Sequence, residues 1–471
     1  MVAVGHYARQ KVRAAGPTVP RLLSLWSLIV TTATAGAAPV EDLLAFLAAA
    51  PTPFHAVAEM TRRLDAAGYR ALAEEDSWTL APGDRCYVVR NQGSVIAFRL
   101  PAADAEPGLR MVGAHTDSPC LKLKPDPVVR GHDTIRLAAE VYGGVLLNPW
   151  FDRDLSLAGR IHYADSNGAI HVALVDFRTP LAVVPSLAIH LDREANSKRS
   201  INAQRDLPAL LRTDDPEFDL QAVLRARIEI EHPGADVDRI LDHELCLYDC
   251  QAPALTGLAS EFVSSARLDN LLSCWCGLQA QLASEGPTGA LLVCNDHEEV
   301  GSASSSGAAG PFLRSVLERI AGQVGGGAGS EAFARLVARS MLISADNAHA
   351  VHPNFADRHD GNHGPRLGGG PVIKVNANQR YASNSATQAL FRRLCEDAEV
   401  PVQQFVTRTD LACGSTIGPI TASEIGVRTL DVGIPQLAMH SIRELCHAGD
   451  PARMAAALTA FQQLERLPTI D

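Results

Sequence analysis

Apolar positions recur with a helical period over VEDLLAFLAAA from Val40, over FHAVAEMTRRLDAAGY, and over ARLDNLLSCWCGLQAQLA, GPFLRSVLERIAG and SNSATQALFRRLCEDA. Thr52 ahead of Pro53 marks an N-cap with proline at the first helical position. CYVVR and SVIAFRL flank Asn91-Gln92-Gly93 as a hairpin. A second pattern repeats along the chain. LRMVGAHTDSP, GALLVCNDHEEVGS, SMLISADNAHA and RTLDVGIPQLAMHSIRE each run from a short apolar strand directly into acids and histidines. Strands alternating with helices predict an α/β sheet, where ligands bind beyond the carboxyl ends of the strands, so these polar clusters predict one site.

The texture changes between residues 126 and 253, where TIRLAAEVYGGVLL, LAGRIHYA, AIHVALVDF, LAVVPSLAIHL and LRARIEIE read as short β-like runs between Gly, Pro and Asn turns. The expected layout is an N-terminal extension (residues 1–39), a discontinuous α/β domain (40–125 and 254–471) and an inserted, mostly β domain (126–253). The tract from Gly322 to Ser330 reads as a flexible surface loop without a phosphate-binding motif.

Composition narrows the class. With 471 residues, 46% hydrophobic and 20% charged, the chain is an ordinary globular protein of two or three domains. A formal charge of −11 without a basic run argues against nucleic acid or an anionic membrane as partner. None of the ten cysteines has C-x-x-C spacing, which suits buried free thiols in a reducing, cytoplasmic setting. Arg9, Lys11 and Arg13 ahead of the apolar run Leu22–Val30 and the small residues Ala33–Ala38 supply the alternative of a secretory signal.

The acids and histidines at the strand ends carry the chemistry. His115 at a strand end, with Asp117 two residues on to orient it, is an arrangement a divalent metal favours. Asp269 falls at a helix start, where a carboxylate can cap the helix or bridge two metals. Glu298 and Glu299 adjoin without a Lys or Arg, so a cation would neutralise one while the other acts as a general base. Asp346 and His440 complete a mixed nitrogen and oxygen ligand set suited to zinc, manganese or cobalt. Of the histidines that follow Asp346, His349 alone is placed to reach this cleft, while His352, His359 and His363 read as polar loop.

Taken together, PTPFHAVAE, GAHTDSPCLKLKP, WFDRDLSLAGRI, LAIHLDR, ARLDNLLSCWC, DHEEVGS, SADNAHAVHPN, GPVIKVNANQRYASN and QLAMHSIRE resemble, in order, the aspartyl aminopeptidases, a family of co-catalytic zinc metallopeptidases. The resemblance runs from about Val40 to the end and implies a mixed-sheet α/β metallopeptidase domain sandwiched by helices, with the inserted β domain mediating dimerisation. It implies two divalent ions per subunit, held by His115, Glu299, Asp346 and His440, with Asp269 bridging. Glu298 would be the base and Asp117 the residue orienting His115. Substrate contacts would come from Glu298, Asp346, His349, Tyr381 and Lys374, the last pairing with an acidic first side chain, and from His190, which in the family reaches a neighbouring subunit's site and has a zinc ligand as its alternative reading. The implied activity is removal of N-terminal Asp or Glu from peptides by dimers that assemble into a tetrahedral dodecamer. A related hydrolase of other specificity, or a silent assembly protein on the same fold, are the alternatives. Lys374 and the complete ligand set weigh against them.

Overall fold

A computed structural model describes residues 37–105, 107–324 and 329–468. A nine-stranded sheet forms its centre, in the order Arg70–Ala71, Arg85–Arg90, Ser94–Arg99, Gly289–Asn295, Leu109–His115, Met341–Ala345, Arg428–Gly433, Val372–Val375, Gln403–Val406. The sheet is mixed, but the four strands from Gly289–Asn295 to Arg428–Gly433 are mutually parallel. The first three of these four are buried along their whole length, as parallel strands covered on both faces must be, and this explains their unbroken apolar runs.

Successive side chains enter two different cores. Val112 and Ala114 join Leu43, Trp275, Phe391 and Phe461 on one face, while Leu109 and Met111 join Phe312, Val316 and Leu336 on the other. Helices therefore cover both faces. The Pro53–Ala66 helix has the expected cap, with Thr52 Oγ1 accepting from His55 N at 3.5 Å.

Residues from both sides of the central segment build this sheet. Between them, Cys120–Gly131, Thr134–Tyr142, Leu155–Ala164, Ile170–Asp176, Ala209–Thr213 and Arg239–Asp249 form a separate six-stranded antiparallel sheet. It begins at Cys120, several residues ahead of the change in texture at 126.

Two local expectations fail, and two others differ only in their bounds. LRARIEIE is not a strand: it lies in the helix Leu220–Glu231, capped by Asp219, and buries Leu224 and Ile228 four residues apart. A charged residue at every second position imitates strand alternation, but the apolar residues that find a core have helical spacing. LAVVPSLAIHL makes only isolated bridges at Ala182, Val183 and Val184, because Pro185 lacks a ladder donor. The helix expected near Val40 starts at Ala37, and the rest of the signal-like stretch lies outside the described residues. Gly322 belongs to the helix Phe312–Val324 and Ser330 starts the next one, with residues 325–328 of that tract outside the described residues.

Candidate metal centre

The strand register places the ligands. Asn295 pairs with His115 and Ser344 with Gly113, so His115, Asp346 and the acids after Asn295 reach one edge of the sheet at the same level. Asp269 arrives in the first turn of the buried helix Leu268–Ala283. His440 follows the strand Pro435–Leu437. Ligand atoms of three overlapping sets lie within 4.8 Å of one another: His115, Asp269 and Asp346; His115, Glu298 and Glu299; Asp269, Glu299 and His440. Arg267 (φ 62°), His297 (φ 66°) and Ala438 (φ 55°), each within two residues of a ligand, and the ligand His440 itself (φ 66°) adopt left-handed backbone. Such strain persists only where surrounding structure enforces it.

Hydrogen bonds fix the ring tautomers. His115 Nδ1 lies 3.1 Å from Asp117 O and 3.4 Å from Asp117 Oδ1, and His440 Nδ1 lies 3.1 Å from Gly144 O. Both rings therefore donate from Nδ1 and turn the Nε2 lone pair inward. His115 Nε2 stands 3.7 Å from Asp346 Oδ1, and His440 Nε2 stands 3.4 Å from Asp269 Oδ2 and 3.5 Å from Glu299 Oε1. Asp117 is itself clamped by Glu298 N at 3.0 Å, Glu299 N at 3.1 Å and the Tyr142 hydroxyl at 2.7 Å.

The residues present fit a divalent metal. Among the described residues, the buried atoms His115 Nε2, Asp269 Oδ1 and Glu299 Oε1 have no hydrogen-bond partner, an arrangement that is costly unless a cation completes it. The electrostatics agree. Burial, with Asp269 adding to it, pushes Glu299 up to about 9, and burial together with Asp346, Asp117 and Asp269 pushes Glu298 up to about 7 against the opposing pull of His115. Burial opposes a charge on His440, but its bond to Asp269 and the charge of Glu299 lift it to about 10. Carboxylates this close raise one another's proton affinity, a repulsion that a divalent cation among them relieves.

Two contributors lay outside the sequence expectations. Glu444, fully buried, accepts from Leu268 N at 2.5 Å, Asp269 N at 3.0 Å and His440 N at 2.6 Å, and so ties two ligand-bearing segments together. The Gly143-Gly144 turn from the six-stranded sheet packs on the ligands: a Cβ at Gly143 would lie 3.0 Å from Glu299 Cβ, and one at Gly144 would lie 3.1 Å from His440 Nδ1.

Lys374 is buried, donating to Asp346 Oδ2 at 3.2 Å and Asn347 O at 3.0 Å, with its Nζ 5.1 Å from the centre of the Tyr381 ring. Exposed His349 and buried Tyr381 line an adjoining cavity. His352 and His359 line this adjoining cavity too, because the chain after Asp346 turns back on itself and Val351 N bonds Pro365 O at 2.8 Å; none of the three histidines joins the ligand sets. His190 is exposed in the six-stranded-sheet region and joins none of the three ligand sets.

Known proteins share this architecture. The chain is 55% identical over 431 residues to the "Probable M18 family aminopeptidase 2" of Pseudomonas aeruginosa strain LESB58, an alignment spanning 91% of this chain and 99% of that protein. It superposes with TM-score 0.87 on a chain of the Ape4 and Nbr1 complex, at 38% identity over 90% of this chain and 85% of that one. Its TM-score with the mApe1 dodecamer structure of S. cerevisiae is 0.78, at 28% identity over 91% of this chain and 97% of that one. The family model described as aminopeptidase I zinc metalloprotease (M18) matches residues 46–462, a span that holds every ligand set described above. Buried residues grouped as metal ligands and relatives of this likeness lead to one conclusion: the chain belongs to the M18 family of zinc metallo-aminopeptidases.

Proposed function

We propose that the protein removes N-terminal Asp or Glu from peptides with two divalent ions, zinc in the first place. The observation that carries this reading is a buried cation beside the ligands: Lys374 uses two of its three ammonium hydrogens on Asp346 and Asn347, leaving a third donor for a substrate carboxylate. A sheltered ammonium discriminates against neutral side chains, because an uncharged occupant leaves the charge unpaired.

In this reading His115, Glu299, Asp346 and His440 hold the two ions, and Asp269 reaches both sets. When bound, such ions activate a water and polarise a carbonyl oxygen as Lewis acids. Glu298 takes the proton of the attacking water and delivers it to the leaving amine; among the described residues its carboxylate accepts no hydrogen bond, so it is available to do so. Asp117 keeps His115 in the ligating tautomer. His349 and Tyr381 line the approach of the peptide.

His190 acts across a subunit interface in this proposal. It lies between the exposed side chains of Ile189 and Leu191, with exposed Leu187 in the same segment, apolar groups suited to burial on self-association. The described dodecamer of S. cerevisiae mApe1 supports dimers assembling further. The ten cysteines are all free thiols, which supports a cytoplasmic location, and no helix among the described residues is long and apolar enough to cross a membrane.

Metal analysis together with rates on Asp-, Glu- and Leu-anilides tests the activity. Bound or activating divalent metal and preference for the acidic anilides are expected. Equal turnover of Leu and Asp substrates would overturn the specificity, and activity without any divalent metal would overturn the mechanism. A monomer by light scattering at working concentration would overturn the cross-subunit role of His190.

A further inference from the structure

A cavity of about 340 Å3 opens beside the metal centre, starting at His349 and Tyr381 and reaching His352, Arg358, His359 and Arg408. Its size is in the range that holds a small ligand. Lys374 stands behind Tyr381, so the cavity continues outward from the place proposed to read the first side chain. Although the chain carries a formal charge of −11, none of the described residues lining this cavity is Asp or Glu.

The backbone decides which ring nitrogens donate. His352 Nδ1 accepts from Asn354 N at 3.2 Å, and His359 Nε2 accepts from His352 N at 3.2 Å. An accepting nitrogen carries no proton, so the neutral rings are N–H donors at His352 Nε2 and His359 Nδ1. Neither donor has a partner among the described residues. Arg408 is clamped by Asp410 at 2.8 Å and 2.6 Å and also bonds the Asp357 carbonyl, which braces the turn carrying Arg358. The Arg358 guanidinium itself makes no hydrogen bond among the described residues, and its contact with Asp357 is a loose 3.9 Å. Asp357 and Asp410, the carboxylates nearest these arginines in sequence, are not among the described residues that line the cavity.

We infer that this cavity binds a second carboxylate of the peptide through Arg358, His352 and His359, so that the protein favours substrates carrying a carboxylate beyond the acidic first residue. A planar guanidinium flanked by neutral N–H donors suits that group. The inference rests on the aminopeptidase reading above. The carboxylate has two sources, an acidic second side chain or the C-terminus of a dipeptide.

Both are separated by measuring kcat/KM of the metal-loaded protein for Asp-Ala amide, Asp-Glu amide, Asp-Ala free acid and Leu-Ala amide. At least one of the two substrates with a second carboxylate exceeds Asp-Ala amide about three- to fivefold, as expected for a partly exposed charge pair, and the one that gains identifies the source. Arg358→Gln and, separately, His352→Phe bring that ratio toward 1. A ratio of 1 in the unaltered protein, with Asp-Ala amide still preferred over Leu-Ala amide, overturns the second site and leaves the first-residue reading standing. Equal rates on Asp-Ala and Leu-Ala amides overturn both. A ratio that persists in both variants overturns the assignment to this cavity.

Discussion

The carboxylate of Glu444 holds the backbone N–H of Asp269 at 3.0 Å through one oxygen, and with the other it holds His440 N at 2.6 Å. One side chain thus sets the spacing between a helix-borne ligand and a loop-borne ligand whose reactive atoms are 3.4 Å apart. Outer partners of this kind typically contribute about 10–100-fold to metal affinity. Glu444→Gln turns an N–H donor toward one of these backbone donors. Competition with a chelator is expected to show metal affinity lowered by about that factor, with activity recovered at excess metal; unchanged affinity would count against the role.

In the proposed reading Glu298 is not needed to hold the ions, because two of the three overlapping sets, His115 with Asp269 and Asp346 and Asp269 with Glu299 and His440, form without it. Glu298→Gln preserves the shape and removes the base. Metal content is expected to stay at the unaltered level while kcat falls about 10²–10⁴-fold, the usual worth of a positioned base. Loss of metal in this variant would make Glu298 a ligand instead.

Much of this site is legible in the sequence, and the reason is physical. His115, Glu298, Glu299 and Asp346 each follow a strand so apolar that it must be buried, so the abrupt polarity marks the sheet edge where ligands bind. Asp269 is legible because it is the acid in the first turn of a long, largely apolar helix. Glu444 is not: it works by accepting backbone N–H groups, and that leaves no spacing pattern. Tyr142 and Gly144 reach the site from a separate sheet, so their role depends on how the sheets pack, which no local pattern encodes. The same limit explains the Leu220–Glu231 helix, where burial of Leu224 and Ile228 decides between two periodicities that RARIEIE satisfies equally well.

Lys374 is tied to Asp346 and Asn347, so its replacement removes both a substrate contact and a partner of a ligand. The two roles separate kinetically. In Lys374→Met the ratio of kcat/KM for Asp- over Leu-anilide is expected to fall by about 10-fold or more, as for a charge-assisted bond of roughly 1.5–3 kcal/mol. The activity on Leu-anilide falls less. A uniform loss on both substrates would reduce Lys374 to a support for Asp346.

His55 offers a pH test away from the metal ligands. Its ring packs in the first turn of the Pro53–Ala66 helix, with Nδ1 2.8 Å from Thr52 Oγ1, and burial lowers it to about 4 despite the opposing charges of Asp176 and Glu231. In the unfolded chain a histidine binds its proton near pH 6.5. The unfolded state therefore takes up a proton first as the pH falls. The stability contributed by neutral His55 is fully present above about pH 6.5 and is lost progressively down to about pH 4, amounting to no more than about 3 kcal/mol. Urea midpoints between pH 7.5 and about 4.5, taken at saturating zinc, are expected to fall more steeply for the unaltered protein than for His55→Gln. Equal slopes would show that His55 titrates normally in the folded protein.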